Sequence, residues 1–124
     1  MGRSRMSTIS SAAMMLSGLA GVLIPVKVGA ALHLEARDAR GSAEIRAGLG
    51  GTYAALGGWA LLSRNPLAHR AVGVAWLGAA VARLASLRIE PPETDSEFWA
   101  YLAAELALGT AGVNARKSPP QEHM

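Results

Sequence analysis

"AVGVAWLGAAVA", residues 71–82, runs for more than about three helical turns without one charged or strongly polar side chain. A helix in a soluble bundle presents a polar residue to water every third or fourth position, so one that is apolar all round is enclosed by protein or by lipid. The surrounding composition decides between the two. Of 124 residues 51% are hydrophobic and only 17% charged, too little polar surface to wrap four soluble helices of this chain's size. The charges are also segregated. They gather in residues 1–5, 35–46, 64–70, 88–97 and 116–122, and the long stretches between carry only Lys27, Arg83 and Glu105. This layout predicts an all-α polytopic membrane protein, with four transmembrane helices in an antiparallel bundle. The mean hydropathy of +0.24 is modest because the stretches are built largely of Ala and Gly.

The predicted helices cover about Ser11 to Leu34, interrupted by Pro25 and Lys27, then Glu44 to Leu62, Pro66 to Leu87 and Glu97 to Val113. Each approaches the roughly 20 residues that a membrane-spanning helix requires. Residues 11–115 form the transmembrane domain in this reading, flanked by tails at 1–10 and 116–124. Gly41 and Ser42 are expected to open the second helix, Asn65 with Pro66 the third, and Thr94 with Glu97 the fourth as a capping box. Only Ser63 to Asn65 separate the second and third helices, which makes them an antiparallel hairpin. An alternative reading of the N-terminus is a secretory signal, since Arg3 and Arg5 precede an apolar run and "VGA" at 28–30 loosely fits a cleavage site. The run continues past that site to Leu34, which favours a retained helix; cleavage would leave three.

The pI near 10.0 would ordinarily suggest nucleic acid, yet the basic residues stand at segment ends instead of forming a patch. If both termini are cytoplasmic, the inside collects Arg3, Arg5, Arg64, Arg70, Arg116 and Lys117, and the last outside loop, "IEPPETDSE", is acidic. Arg37, Arg40 and Arg46 lie outside in this arrangement and reduce the contrast. Phe98, Trp99 and Tyr101 fall at the outer mouth of the fourth helix and Trp59 near the inner end of the second, as interfacial aromatics do.

The glycines of "EIRAGLGG" (44–51) do not make a nucleotide loop. No strand precedes them, Tyr53 stands where the dinucleotide fingerprint needs its last glycine, and no Gly-Lys-Ser/Thr follows. On a membrane helix Gly48, Gly51, Ala55 and Gly58 recur at steps of three and four, a stripe against which another helix can pack. Ala13, Ser17, Gly21, Pro25 and Gly29 offer a matching stripe on the first helix. The helix-packing residues expected are therefore Gly21, Gly48, Gly51 and Gly58, with Gly21→Leu and Gly51→Leu both disruptive.

"EIRAGLGG" (44–51), "ARLASL" (82–87) and "ELALG" (105–109), in this order and spacing, resemble a bacterial family of small four-helix integral membrane proteins catalogued as a domain of unknown function. The resemblance covers residues 10–115. It departs from the family pattern at Leu49, where an aromatic usually precedes the paired glycines. It implies a fold and a membrane address and brings no activity with it.

The ionisable residues carry what chemistry remains. Lys27, His33, Glu44, Arg46, Arg83 and Glu105 all fall in the outer half of the bilayer or at its outer face, and make up the candidate polar cluster. Each intramembrane charge costs about 2.5–3.5 kcal/mol on insertion scales, so such groups face the bundle and pair. Arg83 lies about 6 Å below the outer end of its helix and Glu105 about 12 Å below the start of its own, within reach of one arginine side chain. Small residues flank both. No catalytic residue is expected: His33, His69 and His123 lack the spacing of a metal hydrolase, and no G-x-S-x-G elbow is present. With no cysteine there is no thiol metal site, and no metal or cofactor is expected. Two functions remain. One is a non-enzymatic packing or interaction module of the inner membrane, assembling with itself or a larger complex. The other is a small proton-linked transporter or lipophile-binding protein built on the Arg/Glu cluster. The topology has a direct check: a cysteine at Thr94 should react with an impermeant thiol reagent in intact cells and one at Ser118 should not, and the reverse labelling overturns N-in, C-in.

Overall fold

Asn65 accepts a hydrogen bond from the Leu67 amide at 2.9 Å, and Pro66 follows as the first helical residue, so the longest helix starts where the sequence indicates. The structure is a computed structural model that describes residues 2–116, with side chains from Arg5 onward. Six α-helices are found there and no strand: α1 (Gly2–Leu23), α2 (Pro25–Ala31), α3 (Ala39–Ile45), α4 (Thr52–Ser63), α5 (Pro66–Ile89) and α6 (Ser96–Val113), with a π-helical turn (Arg46–Gly51) joining α3 to α4. Two helices, α1 over Arg5–Leu23 and α5 over Pro66–Ile89, are long and apolar enough to cross a membrane. The fold of the described residues is all-helical. Residues 2–10, expected as a tail, are the opening turns of α1, with Ser7 and Ser10 buried. The expected tail at 116–124 lies, beyond Arg116, outside the described residues.

Several boundaries differ from those expected, each for a local reason. Pro25 has no N–H and ends α1 at Leu23, and α2 starts afresh on the proline. α2 stops at Ala31 because His33 turns left-handed (φ 59°), with the Leu34 amide donating to the Gly29 carbonyl at 2.7 Å and the His33 amide to Ala30 at 3.1 Å. That pattern is a Schellman cap. The carboxylates of Asp38 and Asp95 cap α3 and α6 by accepting from Gly41 and Phe98, in place of Gly41/Ser42 and Thr94/Glu97. An Asp oxygen competes well for a free first-turn N–H. The hairpin turn at Ser63–Asn65 is as short as expected, with Arg64 left-handed (φ 54°).

Packing rests on two antiparallel backbone contacts. α1 crosses α4 and the π turn where a Cβ on Gly21 would lie 2.8 Å from the Gly50 Cα, and one on Gly57 2.6 Å from the Ser11 carbonyl. α5 meets α6 in the same manner, with Gly73 against the Gly109–Val113 backbone. Real side chains do not fit at such separations, so each contact demands glycine on chemical grounds. Met14, Ala60, Ala68, Val72 and Trp76 form the core beside them. Polar groups facing this core are all engaged: the Trp76 indole donates to the Ser10 carbonyl, the Ser10 hydroxyl to Leu108, and Ser11 bonds His69 at 2.6 Å.

Gly21 therefore packs as expected, and the other three glycines require a correction. Gly48 has no atom within 4 Å of a Cβ position, Gly51 meets only the Arg46 carbonyl at 3.7 Å, and Gly58 only the Met15 sulfur at 3.9 Å. The helix turns Gly50 and Gly57 to α1 instead. Both faces of this segment carry small residues, so spacing alone does not choose between them; the wider π turn places Ile45 and Gly50 on the buried side five residues apart. Accordingly Gly57→Leu and Gly21→Leu should lower detergent-solubilised stability by about 2 kcal/mol or more, whereas Gly48→Leu and Gly51→Leu should stay within about 0.5 kcal/mol of the parent. Thermal melts of the four variants read this out, and equal damage at Gly48 and Gly57 overturns the register.

Candidate ligand chamber

Beyond the glycine contact, α5 and α6 are joined by a side chain. Arg83 donates from Nε to Glu105 Oε1 at 2.8 Å and from Nη2 to Oε2 at 3.0 Å, a bidentate pair whose side chains are 22% and 10% exposed. The guanidinium carbon lies 5.3 Å from the Phe98 ring centroid and 5.6 Å from that of Tyr101, within cation–π range. Both aromatics precede Glu105 on α6 by one or two turns, so one helix supplies the carboxylate and the rings that enclose its partner. Tyr101 also donates to the Ala31 carbonyl at 2.9 Å, which ties α6 to the end of α2.

This pair borders a cavity of about 720 Å³ between α1, the π turn, α4, α5 and α6. Its wall is mainly apolar: Ala20 and Val28, Leu49 of the π turn, Trp76, Ala79, Ala104 and Leu108. Ser17, Tyr53, Tyr101, Arg83 and Glu105 provide the polar atoms. The Tyr53 ring stands edge-on to Trp76 with centroids 6.0 Å apart. A second space of about 410 Å³ shares Leu32, Arg83, Pro92, Phe98 and Tyr101 with the first and continues to His33, Glu93, Asp95 and Glu97. The chamber thus has an acidic mouth at the end of the molecule opposite the α4–α5 hairpin.

Of the six residues expected in one polar cluster, the structure joins two. Lys27 is exposed on α2 and pairs with no acid among the described residues. Glu44 accepts from Arg40 at 2.7 Å on the surface of α3, and Arg46 donates to the Val22 carbonyl at 3.1 Å, bracing the π turn against α1. His33 serves the α2 cap and places its imidazole 3.9 Å from Asp95 at the mouth. The reason is geometric. Similar height along the bundle axis does not bring residues to one face, and with the break at Pro25 and the π turn Lys27, Glu44 and Arg46 lie exposed on the outside.

Other features at the site were not legible as such. Tyr53, Trp76, Phe98 and Tyr101 line the chamber, although in the sequence Phe98 and Tyr101 read as interfacial aromatics and Tyr53 and Trp76 carry no assigned role. Trp76 sits within a stretch free of charged residues, and its one signal was an indole N–H that needs a partner when buried. His33, Asp95 and Glu97 offer ligand-type atoms within 4.8 Å of one another. All three are exposed and Asp95 is already capping α6, so nothing there builds a metal centre. Ser11 and His69 are hydrogen-bonded, but Ser11 is fully buried and neither cavity reaches it; the pair clasps α1 to α5.

An all-helical chain with an arginine–carboxylate pair set in a largely apolar, open-sided chamber is a small helical-domain protein with a cavity between its helices. It belongs to the DUF4345 family, whose model, described as a domain of unknown function, matches residues 6–115. Comparison with curated proteins and with solved structures returned no match.

Each charge of the pair neutralises the other inside an apolar wall, and removing one leaves its partner uncompensated. Arg83→Leu and Glu105→Leu should each lower stability by about 2–4 kcal/mol, and the double variant should recover part of the loss. Strict additivity in thermal melts contradicts the coupling.

Proposed function

We propose that the chain is a multi-pass membrane protein that binds an apolar small molecule in the chamber between its helices, without catalysing a reaction. The observation that carries this reading is the chamber itself. Its volume of about 720 Å³ falls in the range of small-molecule sites, and its lining pairs a largely apolar wall with a few convergent polar groups.

The membrane part of the proposal draws on the outer surface. Large apolar side chains point away from the packed interior on every long helix, among them Leu16, Leu62 at 87% exposure, Val74, Val81 at 66% and Leu106. So much outward apolar surface is unfavourable in water and favourable in lipid. α1 and α5 meet the length and hydropathy of a span. In this reading α3, the π turn and α4 act as one helical rod over residues 39–63, and with α6 bring the spans to four in an antiparallel bundle. The N-terminal end of α1, the α4–α5 turn and the C-terminal end of α6 lie together: Ser11 meets His69, and Arg70 donates to the Ala115 carbonyl at 2.8 Å. That end carries Arg5, Arg64, Arg70 and Arg116; the opposite end carries Lys27, Arg37, Arg40, Arg46 and Arg88 together with Glu90, Glu93, Asp95 and Glu97. The insertion proposed in a bacterial inner membrane is N-in, C-in, with the acid-poor end inside and the mouth facing outward.

A packing module for a larger complex has less support. The closest glycine approaches are made within the chain, by α1 against α4 and the π turn and by α5 against α6, while Gly48 and Gly51 stay exposed on a surface that a second copy could meet. A homo-oligomer remains compatible with lipophile binding.

Trp76 lines the chamber and the chain has three tryptophans, so Trp59→Phe with Trp99→Phe leaves a single reporter inside it. In nanodiscs a brominated long-chain methyl ester should quench Trp76 saturably. Ala79→Phe and Ala104→Phe, which fill the chamber, should weaken that quenching about tenfold or more with little change in thermal stability. Quenching that rises linearly with bulk ester and ignores both substitutions overturns the reading.

A further inference from the structure

Among the described residues the only charged groups on the chamber wall are Arg83 and Glu105, and they cancel. A cationic or anionic guest would bring net charge into a poorly solvated space, where no residue of opposite sign is free to meet it. The mouth adds a filter of its own. Glu93, Asp95 and Glu97 surround it, and an anion entering past them meets like charge.

Cancellation of charge does not exhaust the hydrogen-bonding capacity. A guanidinium has five N–H donors, and Glu105 takes one from Nε and one from Nη2. The two on Nη1 and the second on Nη2 have no acceptor among the described residues. Tyr53 lines the same chamber as Arg83 and Glu105, edge-on to Trp76, and its hydroxyl too has no hydrogen-bond partner among the described residues. The other titratable group on the chamber wall, Tyr101, already donates to Ala31, and the α1 and α2 walls contribute no ionisable side chain. The chamber therefore holds unused donors on Arg83, hydroxyls on Tyr53 and Ser17, the remaining acceptor positions of Glu105, and no net charge.

The geometry points to an uncharged lipophile bearing an oxygen acceptor of the ester, ketone or quinone type, its apolar body along Ala79, Ala104 and Leu108 and its carbonyl on Arg83 Nη1 and the Tyr53 hydroxyl. This rests on the lipophile-binding reading and narrows it to one class of guest. A carbonyl accepts two hydrogen bonds without altering charge balance, which is what the wall can supply. A hydrocarbon of equal length would leave both donors unpaired, at a cost equivalent to roughly a tenfold loss of affinity.

The test uses the Trp59→Phe/Trp99→Phe protein in nanodiscs, with the brominated methyl ester as probe and four unbrominated competitors of matched chain length: methyl ester, alkane, trimethylammonium and ionised carboxylate. The ester should displace the probe about tenfold better than the alkane and better than either charged competitor. Tyr53→Phe, which keeps the ring against Trp76 and removes only the hydroxyl, should shrink the advantage of ester over alkane severalfold. Equal displacement by all four overturns the proposed guest class and leaves lipophile binding standing. Preference for a charged competitor overturns it too, and an unchanged ester advantage in Tyr53→Phe overturns the role of Tyr53. Absence of saturable quenching by the probe removes both this inference and the reading beneath it.

Discussion

Backbone-to-backbone approach at glycine is the constraint from which the remaining structure follows. α1 can lie against α4 only because Gly18, Gly21, Gly50 and Gly57 present no side chain at the crossing, and α5 against α6 only because Gly73, Gly109 and Gly112 do the same. Dispersion across such close contacts and interhelical hydrogen bonds hold the helices together. The second contribution is present as well. Ser10 to Leu108, Ser11 to His69 and Trp76 to Ser10 bridge α1 to α5 and α6 beside the glycine crossings.

The chamber is a consequence of where these contacts stop. α5 and α6 touch through glycine over residues 73–77 and 109–113, toward the hairpin end. Farther along, the gap is bridged by the length of an arginine side chain, and the space on either side of that bridge is left open. The Arg83–Glu105 pair accordingly has two effects that are hard to separate. It holds α5 and α6 at a fixed distance, and it gives an otherwise apolar cavity a polar edge with no net charge. The aromatic rings of Phe98 and Tyr101 add weaker attraction to the same guanidinium.

Breaks in helical regularity place the rest. Pro25 separates α2 from α1, and the left-handed turn at His33 sends the chain back toward α3, which brings Leu32 and His33 to the mouth. The π turn at Arg46–Gly51 adds one residue to the local repeat and turns Gly50 inward, and Leu49 beside it contributes to the chamber wall. Leu49 is also the position at which the chain departs from the aromatic that its family resemblance suggests.

From the sequence alone came the all-helical class, the α4–α5 hairpin with its Asn65–Pro66 start, the family, and the Arg83–Glu105 pairing. Each depends on local rules or on a single pair: apolar stretches of helical length, a cap with its proline, and two buried charges of opposite sign at compatible depth. Tertiary structure alone decided that Gly50 and Gly57 pack where Gly48, Gly51 and Gly58 were expected, that Lys27, His33, Glu44 and Arg46 do not join the pair, and that Tyr53, Trp76, Phe98 and Tyr101 share a cavity. Helical periodicity offers two adjacent small-residue faces on one segment, and nothing local prefers either. The choice belongs to a π turn and a proline break whose stability depends on what α1 and α6 press against them, and a cavity exists only once all of its walls are in place.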